Sequence, residues 1–308
     1  MQVRVGVGYS AGMLTLRAAL CCSVLWMLFS GCTSASATAR KDEEAMMAKQ
    51  DKAAASTVAW VDLQTPDPGK ARKFYGELFG WTFAGGDDPN TGFYTMAQLG
   101  GRNVAGLAKL REGSPFPPMW SVYLGVDDAD AIARKVTEAG GKVVVPPMDV
   151  MEEGRMAYFA DPSGAHFGVW QGRKHQGAQV IEEPGAMVWH EVYTRDLARA
   201  QPFYMSVFGL GKKRLDAEGI DYWTLQKGSR TVFGAMQMSA QFPPEVPSHW
   251  NTYFAVTDTD AAAKKAEALG ATVMAPPFDT PYGRMAVLVD PTGAAFCIIK
   301  PARPPADW

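Results

Sequence analysis

Two carboxylates and one imidazole on predicted strands are the side chains best suited to chemistry in this chain: Asp62, Glu191 and His166. Carboxylates and imidazole can bind a metal ion or move protons, so these three residues are the predicted catalytic candidates. They are not joined by a spacing such as His-x-x-x-His, which disfavours a ready-made metal site. An alternative is that Asp62 and Glu191 only hydrogen-bond to Ser, Thr or Arg where two parts of the fold meet.

Aromatic side chains share strand faces with these candidates, because side chains alternate between the two faces of a strand. The residues on the same faces are Trp60 and Gln64, Trp189 and Tyr193, and Gly168 and Trp170. The aromatic members are predicted to bind a flat or apolar organic ligand, unless the Trp rings only fill space. Further residues expected to join this lining are Tyr94, Trp120, Trp223 and Trp250. By contrast, His190 falls on the opposite face and is predicted to be a hydrogen-bonded structural histidine.

The surroundings of Asp62 recur around Glu191, which indicates an internal duplication. The segment from Trp60 to Asp67 aligns with Trp189 to Asp196 at an offset of 129 positions. Later matches keep nearly the same offset: Phe74-Tyr75 with Phe203-Tyr204, Gly154-Arg155 with Gly283-Arg284, and Asp161-Pro162 with Asp290-Pro291. Such a period indicates two copies of one unit but does not itself reveal function. The repeated Arg155 and Arg284 are expected to pair with Asp149 and Asp279, or else to reach an anionic ligand.

Each copy is predicted to alternate strands with two helices, which is typical of the α+β class. The first strand is expected over about 58–65. A helix then follows, with Asp67 as its N-cap, Pro68 at its first position and Gly80 at its end. A second helix is expected over about 128–139. The final hairpin is turned by Asp-Pro-Ser-Gly or Asp-Pro-Thr-Gly, which suits a type I turn.

This ordered set of motifs, occurring twice, resembles the vicinal oxygen chelate superfamily of glyoxalases, bleomycin-resistance proteins and extradiol dioxygenases. The resemblance implies two tandem βαβββ-type modules whose curled mixed sheets form a shared cup. It also implies a divalent metal at four positions, which here hold Trp60, Trp189, Gly168 and Cys297. Only Cys297 could coordinate, and one thiolate makes no metal site. We therefore expect no cofactor. A divalent metal on relocated ligands is disfavoured, and Cys297 joins the predicted ligand-binding residues.

The N-terminal segment predicts export. A charged Arg17 precedes an apolar stretch of about 14 residues, too short for a spanning helix of about 20. Its end, Phe29-Ser30-Gly31-Cys32, resembles a bacterial lipobox, which implies lipid on Cys32 and a lipid anchor in the cell envelope. An ordinary signal peptide or an uncleaved anchor is the alternative, and translation could start at Met1 or Met13. The predicted divisions are residues 1–31 (lipoprotein signal), 32–56 (flexible tether), 57–172 (first module) and 187–301 (second module).

Composition limits the partners. The formal net charge is −2 and no basic run occurs, so a nucleic-acid partner is disfavoured and none is expected. The leading interpretation is an envelope-tethered, metal-independent protein that binds a small aromatic or apolar molecule, as a monomer or a loose homodimer. The alternatives are a metal-dependent glyoxalase-like or dioxygenase-like enzyme with relocated ligands, and a metal-free acid–base enzyme.

Overall fold

The computed structural model describes residues 55–114, 116–217 and 220–303. The predicted signal peptide, Cys32 and nearly all of the predicted tether lie outside these residues. No helix within the described ranges is long and apolar enough to cross a membrane.

Each repeat contains a β-α-β-β-β order twice and forms its own eight-stranded sheet. The elements of the first repeat are β1 (Val58–Thr65), α1 (Pro68–Phe79), β2 (Thr82–Gly85), a 3-10 turn (Pro89–Thr91), β3 (Thr95–Leu99), β4 (Arg102–Lys109), β5 (Met119–Gly125), α2 (Ala129–Glu138), β6 (Lys142–Val150), β7 (Gly154–Ala160) and β8 (His166–Gly172). Those of the second are β9 (Met187–Thr194), α3 (Leu197–Phe208), β10 (Gly211–Ala217), β11 (Ile220–Lys227), β12 (Arg230–Gln237), β13 (His249–Ala255), α4 (Thr259–Ala268), β14 (Thr272–Thr280), β15 (Gly283–Val289) and β16 (Ala295–Pro301). The predicted α+β class with two tandem modules is confirmed.

The two sheets have the same mixed topology. The first runs in the order β2-β3-β4-β1-β5-β8-β7-β6 and the second in the order β10-β11-β12-β9-β13-β16-β15-β14. In the first sheet β1 pairs with β4 in parallel and with β5 in antiparallel orientation, and β5 pairs with β8 in parallel. Strand β1 therefore lies near the centre of its sheet, and its side chains are held between two neighbouring strands.

Local signals fix the helix ends and the closing hairpins as predicted. The Asp67 side chain accepts a hydrogen bond from the Lys70 N–H, and Gly80 ends α1 in the left-handed conformation at φ 76°. Asp161 closes its turn by accepting from the backbone N–H groups of Ser163 (2.7 Å) and Ala165 (3.0 Å). These caps are local, so the sequence alone could specify them.

One apolar core joins the repeats, and the repeated tyrosines and aspartates connect them. The Tyr75 hydroxyl donates to Asp290 Oδ2 at 2.9 Å, and the Tyr204 hydroxyl donates to Asp161 Oδ2 at 2.9 Å. Each tyrosine also accepts from an indole N–H, Trp120 at 3.0 Å and Trp250 at 3.2 Å. The motif Asp-Pro-x-Gly therefore serves twice: Oδ1 caps the hairpin turn and Oδ2 ties it to the other repeat.

This network corrects the predicted placement of two tryptophans. Trp120 lies opposite Leu63 in the β1–β5 ladder, on the face that packs into the core, and Trp250 lies opposite Val192 in the same way. Both indoles are buried between the repeats and do not share the face of Asp62 or Glu191. Both tryptophans lie on strands, as predicted. The register with the neighbouring strand, however, places their side chains on the core face of the sheet.

The predicted ion pairs of the repeated arginines are confirmed. The guanidinium of Arg155 contacts Asp149 at 2.9 Å and also makes two bonds to Asp130, at 2.8 and 3.0 Å. Arg284 pairs in the same way with Asp279 at 3.1 Å and with Asp260. A bidentate contact fixes the planar guanidinium, so each arginine links a helix start to a hairpin.

His190 lies on the core face, as predicted, but its Nδ1 has no hydrogen-bond partner among the described residues. The hydroxyl of Thr252, which faces it across the ladder, is likewise unpartnered in that part of the chain. Burial lowers the pKa of His190 to about 3. The expectation of a hydrogen-bonded histidine was therefore wrong, because the imidazole and the facing hydroxyl of Thr252 are both buried without forming a hydrogen bond to each other.

We expect His190→Val to remove an acid-sensitive step from the stability profile. The pKa of His190 in the folded protein lies below its ordinary value of 6.5, so the unfolded chain binds the proton more readily and stability falls as pH drops below 6.5. Between pH 7 and pH 5 this amounts to about 2 kcal/mol. Valine is a natural choice, since Val61 occupies the matching position in the first repeat.

Urea unfolding of the wild-type protein and His190→Val at pH 7 and pH 5 measures this difference. The comparison variant is His249→Val. Burial lowers the pKa of His249 as well, but its Nδ1 bonds the Pro247 carbonyl at 2.8 Å and this bond opposes the shift, so this variant should keep most of the acid-sensitive step. If His190→Val loses as much free energy of unfolding between pH 7 and pH 5 as the wild-type protein does, His190 is not the source of the acid-sensitive step.

Candidate functional site

The face of the first sheet that carries Asp62 is called the acid face below. It is built by three neighbouring strands, because Asp62 of β1 lies opposite Gly106 of β4 and Ser121 of β5. One step along, Trp60 lies opposite Tyr123, which in turn pairs with Gly168 of β8. The face therefore places an indole, a carboxyl and a phenol at adjacent positions near the centre of the sheet.

The Asp62 carboxyl is buried, 5% exposed, and is surrounded by donors. Gln64 donates to its Oδ1 from Nε2 at 2.9 Å, and the hydroxyls of Tyr94, Tyr123 and Ser121 also hydrogen-bond to it. Burial raises the pKa of Asp62 to about 6, although these hydrogen bonds oppose the shift. A carboxyl with a pKa near 6 can accept a proton at neutral pH and release it at mildly acidic pH.

Two glycines make room for the tyrosines. A side chain on Gly106 would place its Cβ 1.8 Å from the Tyr94 hydroxyl, and one on Gly168 would lie 2.2 Å from the Tyr123 ring. Any larger residue at either position would displace the phenol that it meets. Gly168 is one of the positions where the family resemblance implies a metal ligand, and here it accommodates Tyr123.

The second repeat has a matching acid face around Glu191, which is 4% exposed. Burial raises the pKa of Glu191, while hydrogen bonds from Tyr253, Tyr222 and Tyr193 oppose the shift. Gly234 lies under Tyr222 as Gly106 lies under Tyr94, since a Cβ there would be 2.0 Å from the hydroxyl. All the side chains that hydrogen-bond to Asp62 belong to the first repeat, and all those that hydrogen-bond to Glu191 belong to the second. The two carboxyls therefore have separate hydrogen-bond networks.

Sequence reasoning missed part of this constellation. Tyr222, Gly106 and Gly234 were not among the predicted site residues. The signal was present: Tyr94 precedes Gly106 by twelve positions, and Tyr222 precedes Gly234 by the same twelve. A repeated tyrosine–glycine spacing is explained only when the strand order shows that each phenol lies over its glycine.

The indoles of this face are buried and hydrogen-bonded. Trp60 donates from Nε1 to the Tyr94 hydroxyl at 2.8 Å, and Trp189 donates to the Tyr222 hydroxyl at 3.1 Å. Trp170 donates to the His175 carbonyl at 2.8 Å. The His175 ring packs against Trp60, with ring centres 4.4 Å apart, so it also belongs to this face.

The remaining predicted residues lie at the margin of these settings. His166 begins β8, and its half-buried ring stacks on Tyr158 at 6.2 Å. The Tyr158 hydroxyl is 3.2 Å from that of Ser121, which connects His166 to Asp62 only through two intervening side chains. The prediction that Trp223 joins the lining is wrong. Trp223 lies opposite Ala235, which in turn lies opposite Val192, so its half-buried ring is on the core face, with Lys212 4.4 Å over it.

The residues at the implied metal positions do not form a donor set. Trp60 and Gly168 flank Tyr123 in one sheet, and Trp189 and Cys297 flank Tyr253 in the other. Cys297 is 1% exposed, and burial raises the pKa of its thiol, which opposes formation of a metal-binding thiolate. Across the described ranges, His, Cys, Asp and Glu side chains do not come together in groups of three or more.

Two family models match the chain, one per repeat. Residues 57–169 match the Glyoxalase/Bleomycin resistance protein/Dioxygenase superfamily, and residues 187–299 match a glyoxalase-like domain. The chain belongs to this superfamily. The resemblance to the vicinal oxygen chelate proteins is thereby confirmed.

Individual members of the superfamily support the assignment. "Putative glyoxylase CFP32" of Mycobacterium bovis is 43% identical over 261 residues, covering 83% of this chain and 99% of that protein. The anthracycline biosynthesis protein DnrV of Streptomyces peucetius is 38% identical over 255 residues, covering 79% and 92%. A Mn(II)-bound glyoxalase from Novosphingobium aromaticivorans has a TM-score of 0.60 at 17% identity, covering 82% and 85%, which shows the shared fold alone.

We expect Asp62→Asn to change how stability depends on pH. The pKa of Asp62 in the folded protein, about 6, lies above its ordinary value of 3.8. The contribution of this carboxyl to the free energy of unfolding is therefore fully present below pH 4 and is lost as the pH rises through 6. The stability of wild type relative to Asp62→Asn should therefore fall by about 2–3 kcal/mol between pH 4 and pH 8.

Chemical unfolding at both pH values measures this change, and the exposed Asp87→Asn variant controls for the loss of one negative charge. A stability difference between wild type and Asp62→Asn that stays constant from pH 4 to pH 8 would show that the pKa of Asp62 is not raised.

Proposed function

We propose that this superfamily member binds a small aromatic or apolar organic molecule on an acid face without using a metal ion. One observation carries the proposal: a buried carboxyl ringed by tyrosine hydroxyls occupies each face where the resemblance implies a metal. Indole and phenol rings provide flat apolar surface, while the carboxyl and the hydroxyls can orient a polar group of the ligand.

The relatives are consistent with this ligand class. DnrV is named for the biosynthesis of anthracyclines, which are polycyclic aromatic compounds, and it aligns with both repeats of this chain. The Mn(II)-bound glyoxalase shares the fold, but the residues at the implied metal positions here are Trp60, Gly168, Trp189 and Cys297. Indole and glycine offer no ligand atom to a divalent metal, so we derive no metal-dependent step.

A binding titration tests the proposal. The protein is treated with EDTA, dialysed and titrated with 2-naphthol and 2-naphthoate while tryptophan fluorescence and thermal stability are recorded. Saturable binding that EDTA does not alter would support the proposal. Binding that appears only after a divalent metal is added back would contradict it.

Metal-free acid–base catalysis is the second candidate, favoured by the pKa of about 6 at Asp62. In that case Asp62 would take a proton from a bound ligand, and the hydroxyls of Tyr94 and Tyr123 would hold the charge that develops on a neighbouring oxygen. Turnover should then rise with pH around a midpoint near 6 and be lost in Asp62→Asn. A turnover whose pH profile is the same in Asp62→Asn would exclude this role.

For the location, we propose export and lipid attachment at Cys32 in the cell envelope. The support is the sequence Phe29-Ser30-Gly31-Cys32 after a short apolar stretch. Metabolic labelling with palmitate in a bacterial host should mark the wild-type protein and not Cys32→Ser. Equal labelling of both would contradict the anchor.

A further inference from the structure

One buried amide on the acid face of the second repeat has no hydrogen-bond partner. Asn251 of β13 lies directly opposite Glu191 of β9, so both side chains point to the same face. The residue is 7% exposed, and its Nδ2 forms no hydrogen bond with any residue that the structure describes. Buried polar groups of folded proteins are nearly always paired, so an unpaired donor on a binding face indicates a partner that is not part of the chain.

The first repeat fills the same place with its own side chains. Ser121 matches Asn251 at an offset of 130 positions, and its hydroxyl is 3.2 Å from the hydroxyl of Tyr158. The Tyr158 ring stacks on His166, with ring centres 6.2 Å apart. Phe116, from the loop between β4 and β5, packs edge-on against both rings, at 6.5 Å from the tyrosine and 4.9 Å from the histidine. The polar side chain at this position is therefore paired, and three rings pack beside it.

The second repeat does not repeat this packing. Val287 and Ala295 stand at the positions of the tyrosine and the histidine, at the offset of 129 that joins the repeats. Phe242, which begins the same Phe-Pro-Pro motif as the phenylalanine of the first repeat, packs against Tyr193 instead. An isopropyl group and a methyl group carry no hydroxyl, so these two side chains cannot pair with the amide.

Solvent reaches this part of the second acid face. Ala295 is exposed and Val287 is half-buried, and Phe278 of β14, on the same face, is 41% exposed. The unpaired groups of His190 and Thr252 lie on the opposite face of the sheet, against the core. A molecule from solution can therefore approach the unpaired amide but not these two groups.

The surroundings of Asn251 favour a neutral carbonyl compound. The Nδ2 group is a donor, and the oxygen of a carbonyl group is an acceptor without charge. A negatively charged acceptor would lie beside the carboxyl of Glu191 and be repelled whenever that carboxyl is ionised. Val287, Ala295 and Phe278 offer only apolar surface to the rest of such a molecule.

We propose that the acid face of the second repeat binds a neutral apolar molecule through a carbonyl oxygen that accepts a hydrogen bond from Asn251. This inference rests on the proposed function and adds the repeat, the polar group of the ligand and the residue that recognises it. The carbon skeleton lies against Val287 and Ala295 and extends towards Phe278. In the first repeat the hydroxyl and ring of Tyr158 take the place of this ligand.

Two probes of matched shape test the carbonyl contact. In 2-isopropenylnaphthalene a CH2 group replaces the carbonyl oxygen of 2-acetylnaphthalene. Equilibrium dialysis of the full chain measures both affinities, and the ratio of the ketone affinity to the alkene affinity is the readout. We expect one ketone site per chain.

Asn251→Leu removes the donor and keeps the number of side-chain heavy atoms. The affinity ratio should fall about fivefold, because the ketone loses one neutral hydrogen bond and the alkene loses none. Asn251→Ser, which installs the residue of the first repeat, should lower the ratio in the same direction and serves if the leucine variant does not fold. The double variant Val287→Tyr, Ala295→His installs the rings of the first repeat and should abolish binding of both probes.

The matched control is Gln241→Leu, which removes an exposed amide of the same repeat and should leave the ratio unchanged. A ratio that is the same in the wild-type protein and in both Asn251 variants would overturn the inference, as would full binding to the double variant. If 2-naphthol binds and neither of the two probes does, the inference falls and the proposed function stands. If none of the three compounds binds, both fall.

Discussion

Replacing Asp290 by Ala should lower the free energy of unfolding by about 3–5 kcal/mol. The carboxyl is 3% exposed and has four partners. Its Oδ1 accepts from the backbone N–H groups of Thr292 (2.7 Å) and Ala294 (3.1 Å) and from the Thr292 hydroxyl, and its Oδ2 accepts from the Tyr75 hydroxyl. Truncation leaves the Ala294 N–H and the Tyr75 hydroxyl buried without an acceptor, which costs more than the hydrogen bonds themselves contribute, and it also removes the partly buried bonds to Thr292.

A double-mutant cycle with Tyr75→Phe separates the two roles of Asp290. Tyr75→Phe removes only the bond between the repeats and should cost about 1–2 kcal/mol. In the Asp290→Ala background the same change should cost less, because the tyrosine hydroxyl has already lost its acceptor. Asp161→Ala with Tyr204→Phe repeats the cycle at the symmetry-related place. Additive effects in both cycles would show that the aspartates cap their turns without joining the repeats.

Gly106→Ala should destabilise the protein by about 3–5 kcal/mol, the range for loss of a buried aromatic ring. The new Cβ would lie 1.8 Å from the Tyr94 hydroxyl and 2.4 Å from the ring carbon that bears it. The backbone of β4 is held between β1 and β3, so Tyr94 must move instead. Its displacement also removes the acceptor of the Trp60 indole and one donor to Asp62.

The test for this clash is rescue. In a Tyr94→Ala background the added methyl group meets an empty volume, so Gly106→Ala should cost less than about 1 kcal/mol there. Thermal or urea unfolding of the two single variants and the double variant measures the coupling. Gly234→Ala with Tyr222→Ala provides the matched cycle in the second repeat. If the destabilisation of the double variant equals the sum of the destabilisations of the two single variants, Tyr94 does not occupy the space above Gly106.

Local features of the fold could be predicted from the sequence because they depend on residues a few positions apart. Asp67, Gly80 and the Asp-Pro-x-Gly turns act within their own segments. The wider role of the same motif was not predictable, since Tyr75 meets Asp290 across 215 positions. Only the packing of α1 against the other repeat brings them together.

The candidate site could be predicted only as far as strand alternation reaches. Alternation correctly put Trp60, Asp62 and Gln64 on one face of β1, and it put Glu191 on the matching face of β9. Tyr94 was correctly expected in the lining, but alternation could not place its hydroxyl, or that of Ser121, beside Asp62, because these come from neighbouring segments whose order in the sheet follows a crossover. The same limit explains the misplaced Trp120, whose face depends on its register with Leu63.

The most direct test of the central claim is the metal content of the protein, measured by elemental analysis after purification without chelator or metal-affinity tag. We expect less than about 0.1 equivalent of any transition metal per chain, because indole, glycine and a buried thiol occupy the implied ligand positions. One equivalent of a transition metal that remains bound through dialysis, and that is lost in Asp62→Ala or Glu191→Ala, would contradict the claim and make the protein a metal-dependent member of its superfamily.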